Sequence, residues 1–244
     1  MYAPDELTEV LAEGSVVRFV EDGIYSVFAD DGRQHHYDKR AAVYDMVVGT
    51  RLYNRVMWGS SPRDYVSFAR RAAASRAGEK LLDAGCGSML FTAETYLECG
   101  RAIIAFDQSL AMLRRARQRL IKLSGSWPAH VILLQADLSD PPFRPSAFET
   151  VLCMNVLHQF EDAAVLLPKL KSLLSADGHL YLTSLVANNR FIGDRYLAAL
   201  YATGEFVRPR SNLEFQEILD NSLRRKVSYR TKGNMAYATT VMPL

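Results

Sequence analysis

The sequence predicts an α/β protein built on one mostly parallel sheet, five parallel strands closed by an antiparallel pair, with a small N-terminal β flap and a helical cover. Three observations predict it. Beyond Gly78, apolar runs alternate with segments of helical periodicity, an order that right-handed crossovers turn into a parallel sheet. Two last apolar-alternating runs flank Lys232-Gly233-Asn234, which suits an antiparallel pair at a sheet edge. Near the start, Asp22-Gly23 and Asp31-Gly32 separate short apolar runs, a hairpin signal because glycine accepts positive φ without steric cost.

Each element follows from its local pattern. Residues 5–12 read as a short helix, and 15–20, 24–29 and 34–37 as the strands of the flap, so that 1–40 form the N-terminal unit. Residues 41–77 read as the helical cover, within a helical pattern that starts at Lys39. Ala42, Val43, Met46, Val47, Leu52, Tyr53 and Val56 share an apolar stripe that breaks at Trp58-Gly59-Ser60-Ser61-Pro62. Pro62 suits the start of a second helix over 63–77, since proline at the first helical position gives up no needed donor. The parallel strands are expected at 80–84, 102–106, 130–135, 149–154 and 179–186, with helices at 91–99, 110–123 and 163–174. Residues 187–225 form an insert before the closing pair at 226–231 and 235–241.

The bulk numbers set outer limits. A chain of 244 residues, 49% apolar and 23% charged, makes one large globular α/β domain with a modest appendage. The net charge of +2, from 29 basic and 27 acidic residues, gives no case for a nucleic-acid partner. Arg114, Arg115, Arg117, Arg119 and Lys122 interleave with apolar residues at helical spacing and read as a solvated helix face. Cys86, Cys99 and Cys153 are odd in number and lack C-x-x-C spacing, which argues against a disulfide framework and a zinc site. His35 and His36 have no cysteine or carboxylate at ligand spacing, so no metal is expected. An acidic N-terminus and the lack of any apolar run near ~18 residues point to the cytosol, with no signal peptide and no membrane span.

The chemistry concentrates at strand ends. Leu81-Leu82-Asp83-Ala84-Gly85-Cys86-Gly87 is an apolar strand running into an acid and two glycines, where open α/β sheets bind their ligands. A carboxylate there repels a pyrophosphate but attracts the ammonium of an amino-acid moiety. Asp107 closes the next strand, twenty positions after Gly87, where an ionised acid accepts hydrogen bonds from ribose hydroxyls. Leu90 stands where a dinucleotide fingerprint wants glycine. Asp137, ending the third strand, can accept from an adenine amino group, or be an ordinary turn residue.

With these motifs the chain resembles the class I S-adenosylmethionine-dependent methyltransferases, in particular the small-molecule branch with the ubiquinone and menaquinone methyltransferases, over roughly residues 40 to 186. The resemblance implies a Rossmann-like seven-stranded sheet, S-adenosyl-L-methionine as cofactor, S-adenosyl-L-homocysteine as product and a small-molecule methyl acceptor. It implies that Asp83, Gly85 and Gly87 border the methionine part, that Asp107 holds the ribose, that Asp137 and Leu138 meet the adenine flanked by Gln108 and Met112, and that Asn155 lies beside the cofactor. Val43-Tyr44-Asp45, Tyr53-Asn54-Arg55 and Trp58-Gly59 match the family's covering helix. Tyr53 and Trp58 pack over the sulfonium in one reading and are plain core aromatics in the other. Met89 departs from the pattern, because the family carries a further glycine there.

Three further features stay open. His158, just past the fourth strand, is either a general base for a hydroxyl acceptor or a positioning residue. Asp140-Pro141-Pro142-Phe143 resembles the signature of amino-methylating DNA enzymes but precedes the fourth strand in place of ending it, so it reads as loop punctuation. Arg190, Arg195, Arg208 and Arg210, among aromatics in the 187–225 insert, would suit an anionic or aromatic acceptor. Rival readings are a nicotinamide-dependent oxidoreductase, a non-catalytic cofactor-binding protein, and a methyltransferase that recognises RNA or protein through the flap.

Overall fold

The computed structural model describes residues 4–29, 48–75 and 80–241. The chain opens with a one-turn helix α1 (Asp5–Thr8) and a hairpin of β1 (Arg18–Glu21) and β2 (Ile24–Ser26). A short helix α2 (Arg51–Tyr53) runs into a π-turn, Asn54–Trp58, that ends on left-handed Gly59. Helix α3 (Pro62–Ala73) follows, and its start is written locally. The Ser61 side chain accepts from the Arg63 N–H, the Asp64 carboxylate accepts from the Ser61 N–H at 2.8 Å, and proline takes the first helical position.

From there strands and helices alternate: β3 (Lys80–Ala84), α4 (Ala93–Glu98), β4 (Ala102–Asp107), α5 (Leu110–Ser124), β5 (Val131–Gln135), β6 (Phe148–Met154), α6 (Ala163–Ser172) and β7 (Leu174–Leu185). The insert folds as α7 (Phe191–Ala202) and α8 (Asn212–Leu223), and β8 (Ser228–Lys232) and β9 (Met235–Thr239) close the sheet. Among the described residues the sheet has nine strands in the order β1-β2-β5-β4-β3-β6-β7-β9-β8. Its centre, β5-β4-β3-β6-β7, is parallel, and β9 and β8 are antiparallel.

Both faces are covered. Leu82, Ala84, Ile104 and Phe106 pack with Leu7, Leu166, Leu170, Phe215 and Leu219 of α1, α6 and α8. Leu81, Ile103 and Ala105 alternate to the other face, against Phe68, Tyr96 and Leu113 of α3, α4 and α5. Burial on both sides explains why the central strands read as continuous apolar runs.

The expected flap needs correction. Strand β2 is not part of a separate unit, because it pairs in parallel with β5 through Ile24–Leu133, Tyr25–Leu134 and Ser26–Gln135. Ile24 is wholly buried there, and the Ser26 hydroxyl donates to Gln135 Oε1 at 3.0 Å. Local alternation encodes the hairpin, whereas its docking answers the need of β5, all five residues of which are buried, for a neighbour on its open edge. The strand expected at 34–37, His35 and His36, and the first half of the cover, including Val43-Tyr44-Asp45, lie outside the described residues. No helix among the described residues is long and apolar enough to cross a membrane.

Candidate active site

The chain builds β3, β4 and β5 outward, then returns to place β6 on the opposite flank of β3. Strand order reverses between β3 and β6, and the crevice outside their carboxyl ends is where open α/β sheets bind ligands. A cavity occupies that place. Asp83 and Gly85 reach it from β3, Asp107 and Gln108 from β4, Leu138 from beyond β5, and Asn155 from beyond β6, with Gly87 and Met112 between them. Eight of the residues singled out in the sequence therefore line one cavity.

Asp107 is oriented by its own backbone neighbours. Its Oδ2 accepts from the Gly87 N–H and its Oδ1 from the Ser109 N–H, both at 2.9 Å. These two bonds hold the carboxylate in one orientation at the edge of the cavity. Gly85 allows the loop to pass close: its φ is +78°, and a Cβ there would stand 2.6 Å from Val156 Cγ2. Asn155 is also left-handed, at φ 58°, and the Thr183 hydroxyl donates to its Oδ1 at 2.9 Å.

Asp83 is 1% exposed yet borders the cavity. Burial pushes its carboxyl up to about 7, the Tyr96 hydroxyl draws it back down, and the Asp107 charge adds to the rise. A buried carboxylate with an anion for a neighbour favours a cationic ligand.

Other expected residues lie elsewhere. Asp137 does not line the cavity; its Oδ1 accepts from the Ser139 N–H at 2.8 Å, an Asx-turn, which is the turn reading of that residue. Tyr53 and Trp58 do not line it either. They pack with Tyr196 of α7, with Trp58 and Tyr196 centroids 5.2 Å apart and Trp58 4% exposed, as core aromatics joining cover to insert. His158 is buried outside the cavity, and burial with the Arg210 charge lowers it to about 3, so the ring is neutral and poorly basic in the range where a general base works. Its Nδ1 faces the Leu185 N–H at 3.4 Å, a positioning contact.

The arginines of the insert are also engaged internally. Arg210 donates to the carbonyls of Leu157, Phe160 and Glu161, and Arg190 to Asn234 Oδ1 at 3.0 Å. Arg208 pairs with Glu214, and Arg195 lies over the Phe191 ring. These contacts brace helices, and none of the four arginines lines the cavity. Sequence reasoning missed Phe91, Met154 and Phe160, which supply apolar cavity wall. As isolated apolar residues they carry no signal that separates wall from core.

The family model described as a methyltransferase domain matches residues 82–182, the segment that carries these strand ends. Over that segment the chain is similar to a methyltransferase domain. Among curated proteins it is similar to a malonyl-[acyl-carrier protein] O-methyltransferase of Legionella pneumophila, 29% identical over 162 residues that cover 66% of this chain and 48% of that protein. A ubiquinone biosynthesis O-methyltransferase of Xanthomonas euvesicatoria is 29% identical over 146 residues, covering 54% of this chain and 58% of that one. The chain spans about half the length of these curated relatives.

Two solved structures share the fold. A Haemonchus contortus phosphoethanolamine N-methyltransferase, in complex with phosphomonomethylethanolamine and S-adenosylhomocysteine, has a TM-score of 0.62 at 18% identity, covering 80% of this chain and 44% of that one. A Streptomyces coelicolor geranyl diphosphate C-methyltransferase, in complex with Mg2+, geranyl diphosphate and S-adenosylhomocysteine, has a TM-score of 0.57 at 14% identity, covering 86% and 84%.

A Haemonchus contortus phosphoethanolamine N-methyltransferase of the same fold is solved in complex with S-adenosylmethionine. The residues present fit that molecule. An added Cβ at Gly87 would meet nothing within 4 Å, so the backbone lies open to a ligand, and the ionisable groups lining the cavity are Asp83, Cys86 and Asp107, a set suited to a cation.

The loop accommodates Met89 where the resembled family carries a glycine. Met89 adopts φ 53°, a left-handed backbone, with its side chain 1% exposed and lining the cavity. Helix α4 starts at Ala93, later than the pattern suggested. The left-handed conformation costs about 1 to 2 kcal/mol, and burying a methionine side chain returns about 2 kcal/mol or more. Met89→Gly, which loses the burial but relieves the strain, is therefore expected to lower stability by about 1 kcal/mol or more in urea unfolding; a variant more stable than the wild type would show that the strain outweighs the burial.

Proposed function

We propose that this chain transfers the methyl group of S-adenosylmethionine to a small-molecule acceptor, with an oxygen nucleophile. The observation that carries the reading is a single cavity at the strand switch point, bordered by Asp83 and Asp107 with the Gly85–Gly87 loop between them. The curated relatives, both O-methyltransferases by name, support oxygen as the nucleophile.

When bound, S-adenosylmethionine supplies an electrophilic methyl on a positively charged sulfur. Asp107, held by two backbone N–H groups, orients the ribose hydroxyls. Asp83 receives the ammonium, and the glycine loop brings backbone alongside the methionine chain. Phe91, Met154 and Phe160 keep water from the reacting end. Positioning two reactants in line can lower a barrier by about 7 to 11 kcal/mol in favourable cases, and the reading needs no covalent intermediate.

Calorimetric titration with S-adenosylmethionine, S-adenosylhomocysteine and NAD tests the donor, with binding of both sulfur compounds expected. Binding of NAD in their stead would overturn the reading in favour of an oxidoreductase. A screen of acids, phenols, quinols and amines with labelled donor tests the acceptor; label appearing only in RNA or protein would overturn the small-molecule assignment.

A further inference from the structure

Asp83 is shut off from water on every side except its edge on the cavity. The groups facing it are the Tyr96 hydroxyl of α4, Thr92 just before α4, Asp107 at the end of β4, Cys86 in the loop after β3, and Cys153 of β6. None of these is a cation. Tyr96 is wholly buried, and its hydroxyl donates to Asp83 Oδ2 at 2.7 Å. Burial and the adjoining carboxylate push the phenol far up, so it remains a proton donor across the neutral range. The tyrosine is also held from behind, where its backbone oxygen lies 2.8 Å from His130 Nε2.

We infer that Tyr96 is a positioning residue for the ammonium of the cofactor's amino acid: its hydroxyl aims Asp83 and favours the carboxylate, and cofactor binding is coupled to loss of a proton from Asp83. The inference rests on reading the cavity as a S-adenosylmethionine site. With the phenol on Oδ2 and the Thr92 hydroxyl beside it, the carboxylate keeps lone pairs for an ammonium N–H. Burial holds Asp83 near 7, so close to neutrality the empty site is partly protonated. When the ammonium arrives beside it the charged form is favoured, and a carboxylic acid plus an ammonium become a carboxylate–ammonium pair plus one proton released to solvent.

The sign follows. Affinity rises with pH as Asp83 ionises, through about 7, and falls again only at the alkaline end, where the ligand's own α-amino group loses its charge. Removing the Tyr96 donor raises the Asp83 midpoint and moves the acid limb alone. A loss that came from packing would lower the whole profile without moving that limb.

The test is calorimetric titration of S-adenosylhomocysteine from about pH 5.5 to about 9, in buffers of different ionisation enthalpy that count protons. The wild type is expected to release a proton fraction that shrinks above neutrality. Tyr96→Phe is expected to shift the acid limb up by about one pH unit and to bind about tenfold more weakly at mildly acid pH, with the basic limb unmoved. Asp83→Asn should lose the acid limb. 5′-Methylthioadenosine, which has no amino acid, should show no acid limb with either protein, and equal affinity for it in Tyr96→Phe and wild type reports an intact fold. An acid limb in Tyr96→Phe at the wild-type position overturns the inference. So does a wild type that binds S-adenosylhomocysteine without releasing a proton, whatever the variants do. A wild type that binds neither nucleoside overturns the cofactor reading itself.

Discussion

Asp107→Ala is expected to weaken S-adenosylhomocysteine binding by about 1.5 to 3 kcal/mol, the value of a charge-assisted hydrogen bond. The upper end is the better expectation, because this carboxylate does two jobs. Besides facing the cavity it accepts from the N–H groups of Gly87 and Ser109, so it fixes both the glycine loop and the entry to α5. Asp107→Asn keeps the shape but turns an NH2 toward one of those donors, and is expected to lose a comparable amount. Titration calorimetry reads the affinity, and circular dichroism reads the fold. Unchanged affinity in a folded Asp107→Ala protein would remove this residue from the site.

Gly233→Ala is expected to destabilise the protein by about 3 kcal/mol or more, the sum of a left-handed backbone cost of about 1 to 2 kcal/mol and an overpacking cost of about 1 to 3 kcal/mol. Gly233 has φ +61° in the two-residue turn between β8 and β9, and a Cβ there would lie 2.0 Å from the Trp58 carbonyl oxygen and 2.8 Å from Gly59 Cα. Backbone on both sides cannot yield. Asn234, next in the turn, is fully buried; its N–H donates to the Trp58 carbonyl at 2.8 Å, and its side chain donates to the Val186 carbonyl at 2.9 Å. The turn is thus a joint between cover, insert and sheet. A shift in the urea midpoint measures the effect, and a variant within about 0.5 kcal/mol of wild type would show that the joint adjusts.

Legibility in the sequence divides along physical lines. Strand β3 has the bounds that its apolar run implied, and β4, β5 and β6 differ from expectation by a residue at one end. Those strands are buried on both faces, so their sequence carries little but the strand signal. Asp83, Gly85, Gly87 and Asp107 stand together because parallel strands of similar length end on one edge, where a residue's place in its strand is nearly its place in space. Asp137 shared the strand-end position and yet turned its side chain to the Ser139 amide, since an aspartate two residues before an N–H can always satisfy it locally. Tyr96 was invisible as a polar residue: its ring belongs to the apolar face of α4, and only packing that face on β3 brings its hydroxyl to Asp83.

By itself, then, the order of residues determined the alternation of strands and helices, the parallel centre, the closing hairpin and the acids and glycines at the strand ends, because each of these depends on neighbours a few positions apart. Tertiary structure alone decided that β2 docks on β5, that Tyr53 and Trp58 seal against Tyr196, that His158 and the insert's arginines serve the scaffold, and that Tyr96 meets Asp83. The reason is that a side chain's chemistry is known from its identity, while its partner is chosen by whichever distant surface the packed core brings within about 3 Å of it.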